Sequence, residues 1–125
     1  MSAAVLVVVA AGGCAGAPAR YLVDRAVGAR VDSDLPWGTL AVNASGTLLL
    51  GLLVGLSRAH HLGPLLLAWS GTGFCGAYTT FSTFAVETAR LAEAGEWALA
   101  AFNLTMSLVA GIAAAVAGLA LGAVI

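Results

Sequence analysis

One segment inside a long apolar run constrains this chain more than any other. The run extends without a charged residue from Leu62 to Val86, and its middle, residues 71–84, reads GTGFCGAYTTFSTF. Glycine and β-branched residues lower helix propensity, and Ser and Thr side chains can bond local backbone in place of the helical ladder. We therefore predict a helix that is interrupted near Gly76 to Thr80.

Such an interruption restricts what the segment can do. Non-helical backbone at bilayer depth persists only where it is buried in protein or lines a wet cavity. In membrane transport proteins, breaks of this kind tend to carry the ion site. The segment is therefore interpreted as a conduction or binding element.

The composition identifies a membrane protein. Of 125 residues, 61% are hydrophobic, 9% are charged and none is lysine, which leaves too little polar surface to cover a soluble core. The uncharged runs predict an all-α fold of four transmembrane helices in a single domain, residues 1–125, with spans at about 3–22, 35–57, 62–89 and 97–123.

Composition also narrows function and location. The net charge of −1 gives no electrostatic basis for binding nucleic acid. Cys14 and Cys75 lie in apolar spans without metal-ligand spacing, and no catalytic constellation is recognisable, so we do not expect an enzyme. Heavy use of Ala, Gly, Val and Arg without Lys is typical of a GC-rich genome, and we expect a multi-pass protein of a bacterial plasma membrane.

Small residues recur four positions apart along three of the spans. This spacing lets membrane helices approach closely. The pairs are Gly12 and Gly16, Gly51 and Gly55, and Gly118 and Gly122. We expect tight helix packing at these positions.

Polar residues inside the spans form two ladders. Thr39, Asn43 and Thr47 are four apart on the second span, and the fourth span repeats this spacing at 103, 107 and 111. Either ladder can serve only to hold neighbouring helices together by hydrogen bonds. Alternatively, their hydroxyls and amides donate hydrogen bonds without a fixed positive charge, which suits a small, hard anion in a narrow pore.

Two ionised residues lie near the span ends. Arg20 and Glu87 are expected either to flank a vestibule or to pair with each other. No carboxylate lies deep in a span to carry a proton or a cation.

Four motifs follow one another along the four predicted spans. They read GGCAGAPARY (12–21), GTLAVNASGTLLLG (38–51), GFCGAYTTFSTFAVE (73–87) and NLTMSLVAG (103–111). Together these motifs resemble the Fluc (CrcB) fluoride channel family. The resemblance implies a four-helix subunit with a break in the third helix. It further implies an antiparallel dual-topology dimer with two fluoride pores and one structural, non-transported sodium ion at its centre.

The family pattern assigns roles to the broken helix. The backbone carbonyls that hold sodium map to Gly76 and Thr79, and the phenylalanines whose ring edges contact fluoride map to Phe81 and Phe84. Because glycine tolerates unusual backbone geometry, we expect Gly76→Val to distort the turn and to weaken sodium dependence.

The remaining pore positions come from the polar ladders. The resemblance places Asn43 and Ser107 in the pore, and we add the hydroxyls of Thr39 and Thr80. Where family members often carry a second hydroxyl on the fourth helix, this chain has Gly111.

Two alternatives remain open from the sequence. A small four-span proton-coupled exporter would need a carboxylate in the first span, and residues 3–19 have none. In a non-conducting assembly protein, every polar stripe would serve only for hydrogen bonds between helices. The expected partners are fluoride, the lipid bilayer, and a second copy of the chain or a related second chain, since the arginine distribution is compatible with both.

Overall fold

The computed structural model describes residues 2–125, and that range contains helices and connecting loops but no strand. Three helices are long: α1 (Ala3–Gly28), α2 (Trp37–His60) and α6 (Trp97–Val124). Between α2 and α6 lie α3 (Pro64–Leu67), a π-helical segment (Ala68–Cys75), α4 (Gly76–Tyr78) and α5 (Phe81–Glu93).

The three long helices have the length and composition to cross a membrane. The Ser2 hydroxyl accepts a hydrogen bond from the Val5 N–H and caps α1, which continues through Pro18. At the end of α2, His61 adopts a left-handed conformation with φ of 51° and donates its N–H to the Ser57 carbonyl. The chain then turns into the segment from Pro64 to Glu93, which overlaps the predicted third span and is given that name below.

Glycines bring α2 and α6 into backbone contact. A Cβ atom added at Gly51 or Gly55 would collide with the α6 backbone, and one added at Gly118 or Gly122 would collide with the α2 backbone. Gly12 and Gly16 of α1 stand in the same relation to the third span. The predicted close packing at these glycine pairs is confirmed, because any larger residue would force the helices apart.

The third span is divided, unlike the other three. It starts at Pro64, widens into the π-helical segment, and loses helical geometry at Thr79 and Thr80 before α5 begins. The π-helical segment is rich in glycine and was not predicted from the sequence. It packs chiefly on α1, whereas α2 packs chiefly on α6.

Few side chains of this subunit are buried. Val42, Cys75, Tyr78 and Ala100 form its small apolar core. Many large apolar side chains on every long helix are exposed, which is expected where lipid or another protein covers the surface.

Candidate functional site

An open groove of about 510 Å³ runs along one face of the subunit. α2, the third span and α6 form its walls. The groove contains most of the residues singled out by sequence: Asn43, Gly76, Thr79, Thr80, Phe81, Phe84, Ser107 and Gly111. These positions are far apart in the chain, and the fold brings them to one surface.

The helix interruption forms the middle of this groove. Thr79 has φ −80° and ψ 158°, and Thr80 has φ −146° and ψ 125°, so both are extended. The Thr80 hydroxyl accepts a hydrogen bond from the Thr83 N–H at 3.2 Å, which caps the start of α5. Gly76 to Tyr78, which lie in the segment predicted to be broken, are still helical.

Asn43 stabilises the interruption through both polar atoms of its side-chain amide. Its Nδ2 donates to the Thr80 carbonyl at 2.8 Å, and its Oδ1 accepts from the Thr80 N–H at 2.8 Å. A single side chain thus satisfies the two backbone groups that leave the helical ladder at Thr80. The same side chain lines the groove, so Asn43 combines a structural role with a groove-facing position.

The bond to Asn43 also determines which of the preceding backbone carbonyls lack a helical hydrogen-bond donor. Because the Thr80 N–H points to Asn43, the Gly76 carbonyl loses the donor that a continuing helix would supply four residues later. The Thr79 carbonyl accepts one hydrogen bond, from Nη1 of Arg20 at 3.4 Å. The break therefore presents backbone oxygens that the helical ladder does not use.

Two aromatic rings follow the break. Phe81 and Phe84 have ring centroids 5.7 Å apart at an interplanar angle of 54°. Both line the groove, and 78% of the Phe81 side chain is exposed. Tilted rings turn electropositive edges toward the space between and beside them.

A second, smaller cleft of about 160 Å³ lies on the other side of the break. Arg20, Asp24 and Thr39 line it, and Thr80 lines both this cleft and the groove. Thr39 is buried and donates its hydroxyl hydrogen bond to Oε1 of Glu87 at 3.0 Å. The structure thus does not bring Thr39 to the groove, where the sequence prediction placed it.

Arg20 and Glu87 do not pair with each other. Across residues 2–125 no ion pair joins them, because Arg20 reaches the Thr79 carbonyl and Glu87 binds Thr39. The Oε2 atom of Glu87 is buried and has no hydrogen-bond partner among the described residues. Glu87 also lines an open cleft near the start of α2, so Arg20 and Glu87 line two different cavities.

The expectation for Gly76 needs correction. Gly76 has φ −62° and ψ −37°, which any residue adopts in a helix, and a Cβ atom there would have no neighbour within 4 Å. A side chain at Gly76 therefore does not distort the backbone of this subunit, and the predicted reason for the effect of Gly76→Val is wrong.

Sequence reasoning missed two polar contacts that support the site. Asn103, predicted to share a stripe with Ser107, is buried and donates to the Thr88 hydroxyl at 2.9 Å, and Thr88 was not singled out at all. The hydroxyls of Ser45 and Tyr78 lie 2.9 Å apart and join α2 to the segment before the break. Neither pairing has a signal in local spacing, because the partners are distant in sequence.

Comparison with known protein families gives a match over most of the chain. Residues 7–119 match the profile of the family described as CrcB-like protein, Camphor Resistance (CrcB). The match includes all the groove residues named above.

Individual relatives cover nearly the whole chain. A protein of Streptomyces avermitilis named Fluoride-specific ion channel FluC 1 is 51% identical over 110 residues, which are 88% of this chain and 89% of that protein. A protein of the same name from Frankia casuarinae is 48% identical over 118 residues, covering 90% and 92% of the two chains. Fluoride-specific ion channel FluC 2 of Mycobacterium bovis is 47% identical over 103 residues, covering 82% and 79%.

Proposed function

The chain belongs to the CrcB-like family, and on that premise we propose that it is a fluoride-specific ion channel of a bacterial plasma membrane. Relatives over most of its length are named as fluoride-specific ion channels and not as enzymes. One observation in the subunit carries the proposal. The groove brings amide, hydroxyl and aromatic-edge groups together beside a broken helix, and no side chain lining it carries a charge.

Such a lining suits fluoride better than a cation. A hard, small anion has to exchange its hydration shell for hydrogen-bond donors and electropositive ring edges. Ser107 on α6 and the Phe81 and Phe84 rings on α5 all line the groove. Without a carboxylate along this path, transport would be passive, and fluoride would leave the cell down its electrochemical gradient.

The open side of the groove favours a dimer. A conducting path at bilayer depth has to be enclosed, and in the single subunit Gly76 and Gly111 leave open space where a Cβ atom would lie. A second subunit in antiparallel orientation would close each groove and produce two pores. The partner would be an identical chain or a related one, and relatives numbered FluC 1 and FluC 2 accord with both choices.

The residues at the break fit a structural sodium ion. Hard cations prefer oxygen ligands, and the Gly76 carbonyl has lost its usual helical donor while the Thr79 carbonyl keeps a free lone pair beside its bond to Arg20. In an antiparallel pair these carbonyls would hold the ion at the centre. The bound ion would join the broken helices of the two subunits through its bonds to their carbonyl oxygens. The ion itself would not be transported.

The test is ion efflux from liposomes that contain the purified protein. We expect fluoride to leave rapidly and chloride to be retained, because chloride is larger and accepts weaker hydrogen bonds. Replacing sodium by N-methylglucamine on both sides should weaken the dimer and lower the flux. Equal rates for fluoride and chloride would contradict the proposal.

A further inference from the structure

A chain of two hydrogen bonds links α6 to the backbone of Phe84. Nδ2 of Asn103 donates to Oγ1 of Thr88 at 2.9 Å, and Oγ1 of Thr88 donates to the Phe84 carbonyl at 2.8 Å. Asn103 is only 4% exposed, and the contact with Thr88 is the one hydrogen bond that its side chain makes within the described residues. Successive hydrogen bonds of this kind polarise and strengthen one another.

The surrounding contact between α5 and α6 is loose. None of residues 81–93 is buried, so packing alone does not fix the helix that carries both rings. A cleft of about 490 Å³ is lined by residues of both α5 and α6, and most of these side chains are small. They are Ala85, Ala89, Ala92, Ala100 and Ala101, beside Phe84, Thr88, Trp97 and Leu104. Alanine faces give little directional restraint, whereas the bond from Asn103 to Thr88 fixes the rotation of α5 at Phe84.

From this geometry we propose that Asn103 is a positioning residue for the pore. Acting through Thr88, it holds the Phe84 ring at the angle at which its edge faces the groove. The inference rests on the proposed function, because the ring has a task only if the groove conducts fluoride. It assigns to the fourth helix a role separate from that of Ser107, which lines the groove directly.

Two substitutions break the link at different atoms. Asn103→Leu keeps the approximate shape but removes the donor, and Thr88→Val keeps the β-branched shape but removes the hydroxyl. Thr88→Ser retains the hydroxyl and should restore the link. Thr105→Val, on an exposed position of the same helix, is the matched control.

The position of the ring can be read directly. 4-Fluorophenylalanine incorporated at residue 84 gives a ¹⁹F signal whose shift and width report its surroundings. The same label at Phe74, which stacks between Trp69 and Tyr78 on the other side of the break, is the spectroscopic control. These spectra are recorded without fluoride, and fluoride efflux is measured separately on unlabelled protein in liposomes.

We expect Asn103→Leu and Thr88→Val to move or broaden the signal at residue 84 but not the signal at residue 74. Fluoride flux should fall by about threefold to about twentyfold, the range to which single interhelical hydrogen bonds in membranes correspond. Thr88→Ser and Thr105→Val should keep the native signal and most of the flux. If Asn103→Leu does not fold, Thr88→Val with its serine rescue decides the same question.

An unchanged signal at residue 84 in the folded variants would overturn the inference, even if flux fell. A displaced signal with native flux would overturn it as well, since the ring would then not need positioning. If the native protein carries no fluoride, the proposed function fails on its own, and the signal at residue 84 still decides whether Asn103 holds the ring.

Discussion

Asn43 offers the sharpest test of how the broken helix is maintained. Replacing it by leucine keeps the side-chain volume but removes both 2.8 Å hydrogen bonds to Thr80. Because these bonds satisfy backbone groups at an interruption, we expect Asn43→Leu to destabilise the folded protein as well as to slow fluoride. A residue that only lined the pore would affect flux alone.

The magnitude follows from the two bonds. Interhelical hydrogen bonds in membranes average about 0.6 kcal/mol each, so their loss sets a lower bound near 1.2 kcal/mol. Leaving the Thr80 N–H and carbonyl without partners costs roughly 1–3 kcal/mol for each buried group, reduced where groove water replaces the amide. The expected loss thus lies between about 1.2 kcal/mol, where groove water replaces the amide, and about 6 kcal/mol, where both groups stay without partners. Asn43→Asp should also destabilise the protein, because its carboxylate can accept from the N–H but repels the carbonyl.

The matched control is Thr47→Val, one turn along the same groove wall. The Thr47 hydroxyl bonds only to the Asn43 carbonyl within its own helix, so its removal should change stability by no more than about 0.5 kcal/mol. Stability is measured by reversible unfolding in mixed micelles of dodecyl sulfate, with the combined fluorescence of the three tryptophans as the signal. Amide hydrogen exchange at Thr80 gives a local measurement, which should accelerate in Asn43→Leu. If Asn43→Leu and Thr47→Val unfold at the same denaturant concentration, Asn43 does not maintain the break.

Four further outcomes are expected. Gly76→Leu should fold as a subunit but fail to form the dimer in detergent, as measured by analytical ultracentrifugation. A native dimer would mean that the second subunit does not cover the groove. Phe81→Ile should lower fluoride efflux roughly two- to tenfold through loss of a ring edge worth about 0.5–1.5 kcal/mol, with the dimer intact. Ser107→Ala should likewise slow efflux without disassembly, and unchanged efflux would remove the α6 hydroxyl from the path. Gly118→Ala should lower the unfolding free energy by about 1–3 kcal/mol because it overpacks the contact with α2, whereas Gly28→Ala, which has open space, should not.

Sequence reasoning succeeded where the physical cause is local. Glycines four apart predict backbone contact because nothing else lets helices approach so closely, and the Gly51 and Gly118 contacts confirm it. Of the segment predicted to be interrupted, Thr79 and Thr80 have extended backbone, whereas Gly76 to Tyr78 are helical.

Sequence reasoning was less successful where three residues spaced four apart were assumed to face the same direction. Positions four apart on an α-helix are rotated by about 40° from each other, so a stripe of three winds around the axis. Asn43 and Thr47 therefore line the groove while Thr39 turns to Glu87. For the same reason Ser107 lies in the groove while Asn103 faces Thr88. Which neighbour a stripe member meets is a tertiary property that spacing does not contain.

Gly76 shows a different limit. Its residue type is compatible with a strained turn or with clearance for a neighbour, and only the αR backbone and the open space beside it distinguish them. The sequence also does not reveal the π-helical segment from Ala68 to Cys75, which lies against α1 at Gly12 and Gly16.

The division of the third span has a consequence for biosynthesis. The portion before the break, 64–78, is shorter than the roughly 20 residues that a bilayer-crossing helix needs, and α5, with its charged residues, does not meet that requirement either. The uncharged run from Leu62 to Val86 nevertheless has the length to enter a bilayer as a whole. α1 and α2 emerge from the ribosome first, and α1 carries the glycine surface on which the π-helical segment rests. During biosynthesis we therefore expect the run to enter the bilayer as a whole and the break to be enclosed only when residues 68–75 pack on α1, so a lesion at Gly12 that blocks this contact should leave an inserted chain without an assembled groove.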